Sequence, residues 1–327
     1  MIIAKTPLRI SLGGGGTDLP SYYREFGGFV ISAAINKYVY ITANRSFFPG
    51  YFLKYSEMEH ASTREEIRHP LFREALTMHD VGDRIELTSV ADVPAGTGLG
   101  SSGAFTVGLL HALYAYRQKH VASATLAEEA VEIEMNRLAE PVGKQDQYIA
   151  AYGGLLCQDY RRDGTVGVEQ LRISEEKARE LRESLMLFFV GSTRSASTLL
   201  QEQKTQSECR NKKMLDDLHF AKQLGYEIER VLTDGDLLGY GALMHEHWLR
   251  KRGRSEGMSS SRVDELYDLA RGAGGASGGK LVGAGGSGFL LLQTTDRKRL
   301  RSTMEGAGVS EMDFSFDFDG SVVMLRN

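Results

Sequence analysis

Three glycine-rich runs set the strongest limit on how this chain can fold: "LGGGGTDLP" from Leu12, "PAGTGLGSSGAF" from Pro94 and "GAGGASGGKLVGAGGSGF" from Gly272. Each glycine loses more backbone freedom on ordering than any other residue, so such runs belong where the backbone turns tightly or something approaches it closely. Four in succession, Gly13 to Gly16, flanked by Arg9 and Asp18, exceed the one or two glycines that a β-turn uses. An anion is held where unpaired N–H groups converge at a helix N-terminus and the helix dipole adds to the attraction. Only the second run has that setting. The strand-like "DRIELTSVADVPAG" enters it, and "AFTVGLLHALYAYRQ" leaves it with Phe105, Leu109, Ala112, Leu113 and Tyr116 at helical spacing. Gly96, Gly98, Gly100 and Gly103 allow close approach, while Ser101 and Ser102 put hydroxyls at the helix start, where they can cap, touch phosphate or hold magnesium. The stripe Leu109, Leu113, Tyr116 reads as core.

Competing motifs fail on context. "GLGSSG" fits G-x-G-x-x-G, but a dinucleotide site needs a second strand and an acidic residue about 20 positions on; helix continues there, with "QKHVASAT" in place of the acid. The third run nearly spells a Walker A motif around Gly274, Gly279 and Lys280, yet it has no Ser or Thr after the lysine and precedes a strand rather than following one. "FDFDG" near the C-terminus resembles D-F-G without the other protein-kinase signatures.

A chain of 327 residues, 42% of them hydrophobic, has length for two ordinary domains with real cores. Cys157 and Cys209 form neither a metal spacing nor a disulfide framework, which points to reduced thiols and a cytoplasmic location. The N-terminus lacks a signal-peptide pattern, and no apolar run approaches the roughly 18 residues of a membrane span. A net charge of -4 with both signs interspersed gives no basic field for nucleic acid or membrane. Neither is expected as a partner.

Short β-rich runs, "RISL", "FVISAAI", "YVYITANRSF" and "YFLKYS", alternate with glycine and proline breaks up to Tyr55, with a helix predicted at "PSYYREF". Helical patterns follow in "TLAEEAVEIEMNRLAE" and "VGKQDQYIAAYGG", then strands near Leu155 and Val166. The charged helix "SEEKARELRES" leads into "LMLFFVG", and the expected boundary near Glu180 divides the chain into 1–180 and 181–327. In the second part, long helices are expected over about Ser197 to Leu232 and Asp236 to Arg252, then a third from Arg262. Strands at "GKLVGA", "GFLLLQ" and "GSVVML" surround a helix at "DRKRLRSTME". This is an α+β layer.

The three runs together resemble the motifs of the GHMP kinases, the superfamily of galactokinase, homoserine kinase, mevalonate kinase and phosphomevalonate kinase. "PAGTGLGSSGAF" is similar to the central phosphate-binding motif, "PLRISLGGGGTD" to a segment with a basic residue and an aspartate nine positions on, here Arg9 and Asp18, and "KLVGAGGSGFLLL" to the third motif, a glycine turn beside the nucleotide loop. "LGGGGTDLP", "HEHWLRKR" and "VDELYDLARGAGGASGGKLVGAGGSGFLL" look most like the bacterial D-glycero-D-manno-heptose 7-phosphate kinases, with Ser287 where many members have glycine. The resemblance implies a two-domain α+β fold: an N-terminal layer like ribosomal protein S5 domain 2, a ferredoxin-like C-terminal domain, and a site between them. It implies ATP and Mg2+ as cofactors, and phosphorylation of the anomeric hydroxyl of a heptose 7-phosphate on the path to GDP-heptose. Fucose, an N-acetylhexosamine or phosphomevalonate stays open as acceptor, and so does a non-catalytic sensor. The sensor predicts loss of Asp146 or Arg9, and both are present.

By the same resemblance Pro94, Gly96, Gly98, Leu99, Gly100, Ser101, Ser102 and Gly103 hold the nucleotide. Ser102 and Glu134 hold the metal, the glutamate standing twelve residues before Asp146 as in the family pattern, although helical glutamates are usually solvated. Phosphoryl transfer asks for position and positive charge more than covalent work. Asp146 would accept or orient the proton of the attacking hydroxyl and Arg9 would stabilise the charge between sugar and phosphoryl group; the plain alternative is a buried ion pair tying helix to strand. Gly14, Gly15, Gly16, Thr17 and Asp18, with Gly285 and Gly286, would line the sugar site. A phosphate already on the sugar needs cations, for which Arg194 and the group Arg250, Lys251, Arg252 and Arg254 are candidates, the group reading more simply as solvated surface. His245 and His247, two apart, do not share a helical face as zinc ligands would and read as structural or substrate-side groups.

Overall fold

The computed structural model describes residues 1–191, 197–254, 257–283, 285–286 and 288–326. Its first layer is a mixed sheet built around two long strands, β1 (Ile2–Gly13) and β2 (Gly28–Arg45), paired antiparallel along their length. "FVISAAI" and "YVYITANRSF", expected as two strands, are one. No glycine or proline separates them, and the irregularity falls instead as a bulge where the register shifts between Pro7 and Leu8. Pro7 has no N–H to give to a ladder, which suits it to that position. The sheet forks along β2. The first half pairs with β6 (Leu155–Tyr160), which carries β7 (Val166–Gln170), and the second half pairs with β5 (Ile85–Ala91). Beyond β5 lie β3 (Tyr51–Lys54), parallel to it, and the edge strand β4 (Met58–Ala61).

Helix α3 (Ser101–Tyr116) packs beneath β1 and β2 and buries Leu109 and Leu113. It is apolar on most sides because α2 (Pro70–Met78), α4 (Ser123–Val131) and α5 (Gln145–Tyr152) cover it. The helix expected through "EIEMNR" becomes a π-helical turn, Glu132–Arg137, after α4. Such wide turns are rare and recur at functional sites.

The second layer is the antiparallel sheet β8 (Leu185–Phe189), β10 (Phe289–Gln293), β9 (Gly278–Leu281), with β10 central. Leu187, Leu291 and Phe289 face the core shared with the first sheet, while Met186, Phe188, Leu290 and Leu292 face a second core with Trp248 and Tyr267. Both faces are covered, so "LMLFF" and "FLLLQ" are continuously apolar rather than alternating. Around this sheet lie α6 (Glu175–Ser184), α9 (Leu237–Arg252), α10 (Ser261–Gly272) and α11 (Arg297–Gly306), whereas α8 (Lys212–Asp234) packs on β1 and β2 of the first sheet and α7 (Ser197–Glu208) on α8 and on α1 (Pro20–Phe26). The helix expected from Ser197 to Leu232 breaks at Arg210, whose φ is 52°, and restarts with the Asn211 side chain accepting from the Met214 N–H at 3.1 Å. The last strand, β11 (Val322–Arg326), does not join the second sheet: it runs antiparallel to β1 at the edge of the first. Among the described residues, no helix is long and apolar enough to cross a membrane.

Candidate active site

The second glycine run joins β5 to α3, and Gly96, Gly98 and Gly100 all have positive φ, at 76°, 83° and 77°. A residue with a Cβ is strained there, so the glycines fix the path of the loop. Gly100 caps the helix without a side-chain bond. The Ala104 N–H reaches back to the Gly100 carbonyl at 3.0 Å, which leaves the N–H groups of Ser101, Ser102 and Gly103 as the donors that an α-helix cannot satisfy internally. The third run supports this loop from behind: a Cβ on Gly98 would lie 2.5 Å from the Val282 carbonyl oxygen, and one on Gly283 would lie 2.6 Å from the Gly98 Cα.

Arg9, in the middle of β1, donates through Nε to Asp146 Oδ1 at 2.7 Å and through Nη2 to Oδ2 at 3.0 Å. Its Nη1 bonds the Gly98 carbonyl, and its backbone N–H donates to the Leu99 carbonyl at 3.0 Å. A bidentate guanidinium–carboxylate pair is therefore clamped to the glycine loop. The Asp146 side chain keeps 29% of its surface accessible against 9% for Arg9, so the carboxylate still opens onto the space in front of the loop. Asp18 lies next to it, accepting from the N–H of Gly16 and of Gln145, each at 3.2 Å. Burial, then the charge of Asp146, pushes the Asp18 carboxyl above its ordinary range.

Glu134 is buried on the π-helical turn, where it accepts from the Ser102 hydroxyl at 2.7 Å and from Gln147 Nε2 at 3.2 Å. Burial pushes its carboxyl up to about 7. A divalent cation would favour the ionised form, and a carboxylate beside a serine hydroxyl is the hard oxygen set that magnesium accepts together with phosphate oxygens and water. Ser102 and Glu134 fit this ion; when bound it would neutralise phosphate charge.

Apart from Glu134, which is buried and reaches the site through the Ser102 hydroxyl, these groups border one cavity of about 870 Å3. An apolar wall comes from Val39, Leu71, Val93 and Phe105, with Tyr55 and His69 packed edge to ring at 4.6 Å. Arg9, Gly15, Gly16 and Asp18 line the floor with Asp146, and Pro94, Gly96, Gly98, Gly100, Ser101 and Ser102 form the loop side. Other expected residues are placed elsewhere. Gly14 and Thr17 belong to packing: a Cβ on Gly14 would lie 1.9 Å from the Phe29 carbonyl oxygen, and the Thr17 hydroxyl donates to the Gly14 and Phe29 carbonyls. Leu99 is buried in the core and Gly103 packs on Asp146. Gly285 and Gly286 abut Met258, with the Gly286 N–H donating to the Met258 carbonyl at 3.0 Å, so neither lines the cavity. Arg194 and Ser287 lie outside the described residues.

The basic run Arg250 to Arg254, expected as solvated surface, divides. Arg250 and Arg252 face out and pair with Asp217 at 3.6 Å and Asp264 at 3.5 Å. Lys251 and Arg254 turn inward and line the cavity with Lys280 of β9 and His247. The signal for this was available: His247, Lys251 and Arg254 are four and three positions apart, one helical face. The other histidine, His245, bonds the Tyr267 hydroxyl through Nδ1 at 2.8 Å and is structural. Gln203 also lines the cavity and bonds the Gly16 carbonyl at 3.0 Å; nothing in its sequence context marked it.

A glycine loop at a helix N-terminus, a clamped Arg–Asp pair and a serine backed by a buried carboxylate meet at one cleft, an arrangement suited to phosphoryl transfer. Residues 69–154 match the family described as GHMP kinases N terminal domain, and residues 227–309 match GHMP kinases C terminal, together more than half of the chain. The D-glycero-alpha-D-manno-heptose 7-phosphate kinase of Campylobacter jejuni subsp. jejuni serotype O:2 is 28% identical over 98% of this chain and 97% of its own. A crystal structure of a D-glycero-D-manno-heptose 1-phosphate kinase from Bacteroides thetaiotaomicron is similar in fold, with a TM-score of 0.81 at 24% identity and 99% of each chain covered. Lactococcus lactis galactokinase complexed with galactose has a TM-score of 0.80 at 16% identity, over 98% of this chain and 94% of that one. The chain belongs to the GHMP kinases, and it is an ATP-dependent kinase.

Proposed function

We propose that the protein transfers the γ-phosphoryl group of ATP to the anomeric C1 hydroxyl of D-glycero-D-manno-heptose 7-phosphate, giving the 1,7-bisphosphate, in the cytoplasm. The observation that carries the reading is the Arg9–Asp146 pair held against the Gly98–Gly100 loop at the head of α3. The relative from Campylobacter jejuni, aligned over nearly the whole chain, supports this acceptor. The cleft would lie between two units, proposed as 1–180 and 181–327.

The N–H groups at the start of α3 would bind the triphosphate, and the apolar wall of Val39, Leu71 and Phe105 would take the base. Asp18 and the backbone of Gly15 and Gly16 would orient the sugar, with the C1 hydroxyl facing Asp146. As the C1 oxygen bonds to the γ-phosphorus, the bond from that phosphorus to the ADP oxygen breaks and the hydroxyl proton passes to the Asp146 carboxylate. Arg9 would stabilise the charge that spreads over the transferred group and hold Asp146 in line, which is the positioning that this reaction demands. Ser102 and Glu134 would keep the magnesium ion against the phosphates.

The test is ADP release with ATP and magnesium across a panel of sugars and sugar phosphates, with phosphorus NMR to locate the new ester. Turnover of the heptose 7-phosphate with a C1 phosphate product is expected. Asp146→Asn should lower kcat by at least about 100-fold, the scale of general base catalysis, with nucleotide binding kept. Full activity of that variant would remove the proposed base.

A further inference from the structure

The exposed arginines of α9 are paired, and the buried cations beside them are not. Arg250 meets the buried Asp217 and Arg252 the partly exposed Asp264. Among the described residues, Lys251, Arg254 and Lys280 make no salt bridge, although Arg254 and Lys280 are buried and Lys251 is half-buried. This inverts the usual rule, in which charges are buried only when paired. The carboxylates nearby are engaged elsewhere: Asp146 by Arg9, Asp18 by two backbone N–H groups, and Asp217, whose charge reaches Arg254, by Arg250 at 3.6 Å.

The same surface has donors without acceptors. Arg254 Nε and both ring nitrogens of His247 are buried with no hydrogen-bond partner. Lys251 gives two of its three donors to the carbonyls of Leu281 at 3.0 Å and Gly283 at 2.5 Å, which anchors the ammonium and leaves one donor over. The position of Arg254 assigns the group to the acceptor rather than the donor. A Cβ on Gly16, in the first glycine run, would lie 3.1 Å from an Arg254 terminal nitrogen, next to the N–H that holds Asp18.

We infer that His247, Lys251, Arg254 and Lys280 form a second anion site, which holds a phosphate already carried by the acceptor and makes the enzyme select phosphorylated sugars over free ones. The inference rests on the reading of Arg9 and Asp146 as the transfer centre. A phosphate monoester would supply the missing counter-charge, and its three terminal oxygens would match an arginine fork and two ammonium groups. Burial and mutual repulsion hold Lys251, Lys280 and His247 toward their neutral forms, as expected of a cluster arranged for an anion.

Calorimetric titration without ATP tests this directly, using D-glycero-D-manno-heptose 7-phosphate and the free heptose as probes. The intact enzyme should bind the phosphate ester at least about 100-fold more tightly, a margin that two or three charge-assisted bonds supply. Arg254→Gln and Lys280→Met should erase most of that margin and raise KM for the sugar phosphate while leaving KM for ATP within about threefold. Equal affinity of the intact enzyme for the two sugars overturns the inference, and that comparison needs no variant to fold. Variants that raise KM for ATP and spare the acceptor also overturn it, because the cations would then serve the donor. Tight, variant-sensitive binding of the sugar phosphate without ADP formation would keep the anion site and refute the kinase reading for this acceptor. Equal turnover of the free heptose would do the reverse.

Discussion

Lys251 carries a stability cost that can be measured. Burial foremost, then Arg254 and Arg9, bring its ammonium down to about 7, whereas in an unfolded chain it titrates near about 10.4. Between these values the unfolded chain binds the additional proton, so stability rises with pH across that window, and below the lower value the folded protein bears the whole penalty. Lys251→Met should therefore raise the urea midpoint at pH 7, by the equivalent of about 3 kcal/mol after the lost bonds to the Leu281 and Gly283 carbonyls are subtracted. By about pH 10 the gain should have vanished or reversed. A midpoint at pH 7 that is unchanged or lower would show that the charge is compensated in solution. Functional sites often hold such groups at the expense of stability.

At the scale of elements, the site depends on how closely two glycine runs meet. Gly98 sits with positive φ against the carbonyl of Val282, and the loop it shapes holds the head of α3 in front of Arg9. Gly98→Ala adds a methyl group where backbone already lies, and it strains the left-handed conformation as well. The expected result is a loss of about 1–3 kcal/mol in stability, read by thermal melting, together with a raised KM for ATP. A variant with wild-type melting and kinetics would mean that the loop can reach its working shape without this contact. Gly13 and Gly14 make a different use of the same property. They let α8 and β2 press on the chain, since a Cβ on Gly13 would lie 2.9 Å from Ile228 Cδ1. Half of the first run thus belongs to packing, and Gly15 and Gly16 remain for the cavity.

For the whole molecule, the return of β11 to β1 ties the end of the chain to the strand that carries Arg9. The proposed division at residue 180 is therefore crossed by a strand. A chain ending at Ser321 should expose the β1 edge and lower the melting temperature by roughly 5 °C or more, with activity falling at temperatures well below the wild-type melt. If that truncated chain melts as the full chain does, β11 is an accessory strand and the first sheet is complete without it. Cooperative unfolding in one transition is expected for the full chain, because the core that holds Leu187 and Leu291 from the second sheet is continuous with Ile10 and Ile41 from the first.

What could be read in the sequence was local. A strand, a glycine loop and a helix are set by neighbours in the chain, so "PAGTGLGSSGAF" marked the candidate anion-binding turn, and the resemblance to the GHMP kinase motifs allowed Arg9, Asp18, Glu134 and Asp146 to be named as the candidate centre. Tertiary structure decided everything that depends on which side of an element meets another part of the chain. It merged two expected strands into β2, sent the last strand to the first sheet, and turned Lys251 and Arg254 inward while Arg250 and Arg252 faced water. The physical reason is that propensity and spacing fix a residue's angle around its own helix or strand, but burial and charge pairing are set by groups tens or hundreds of residues away, which no local pattern encodes.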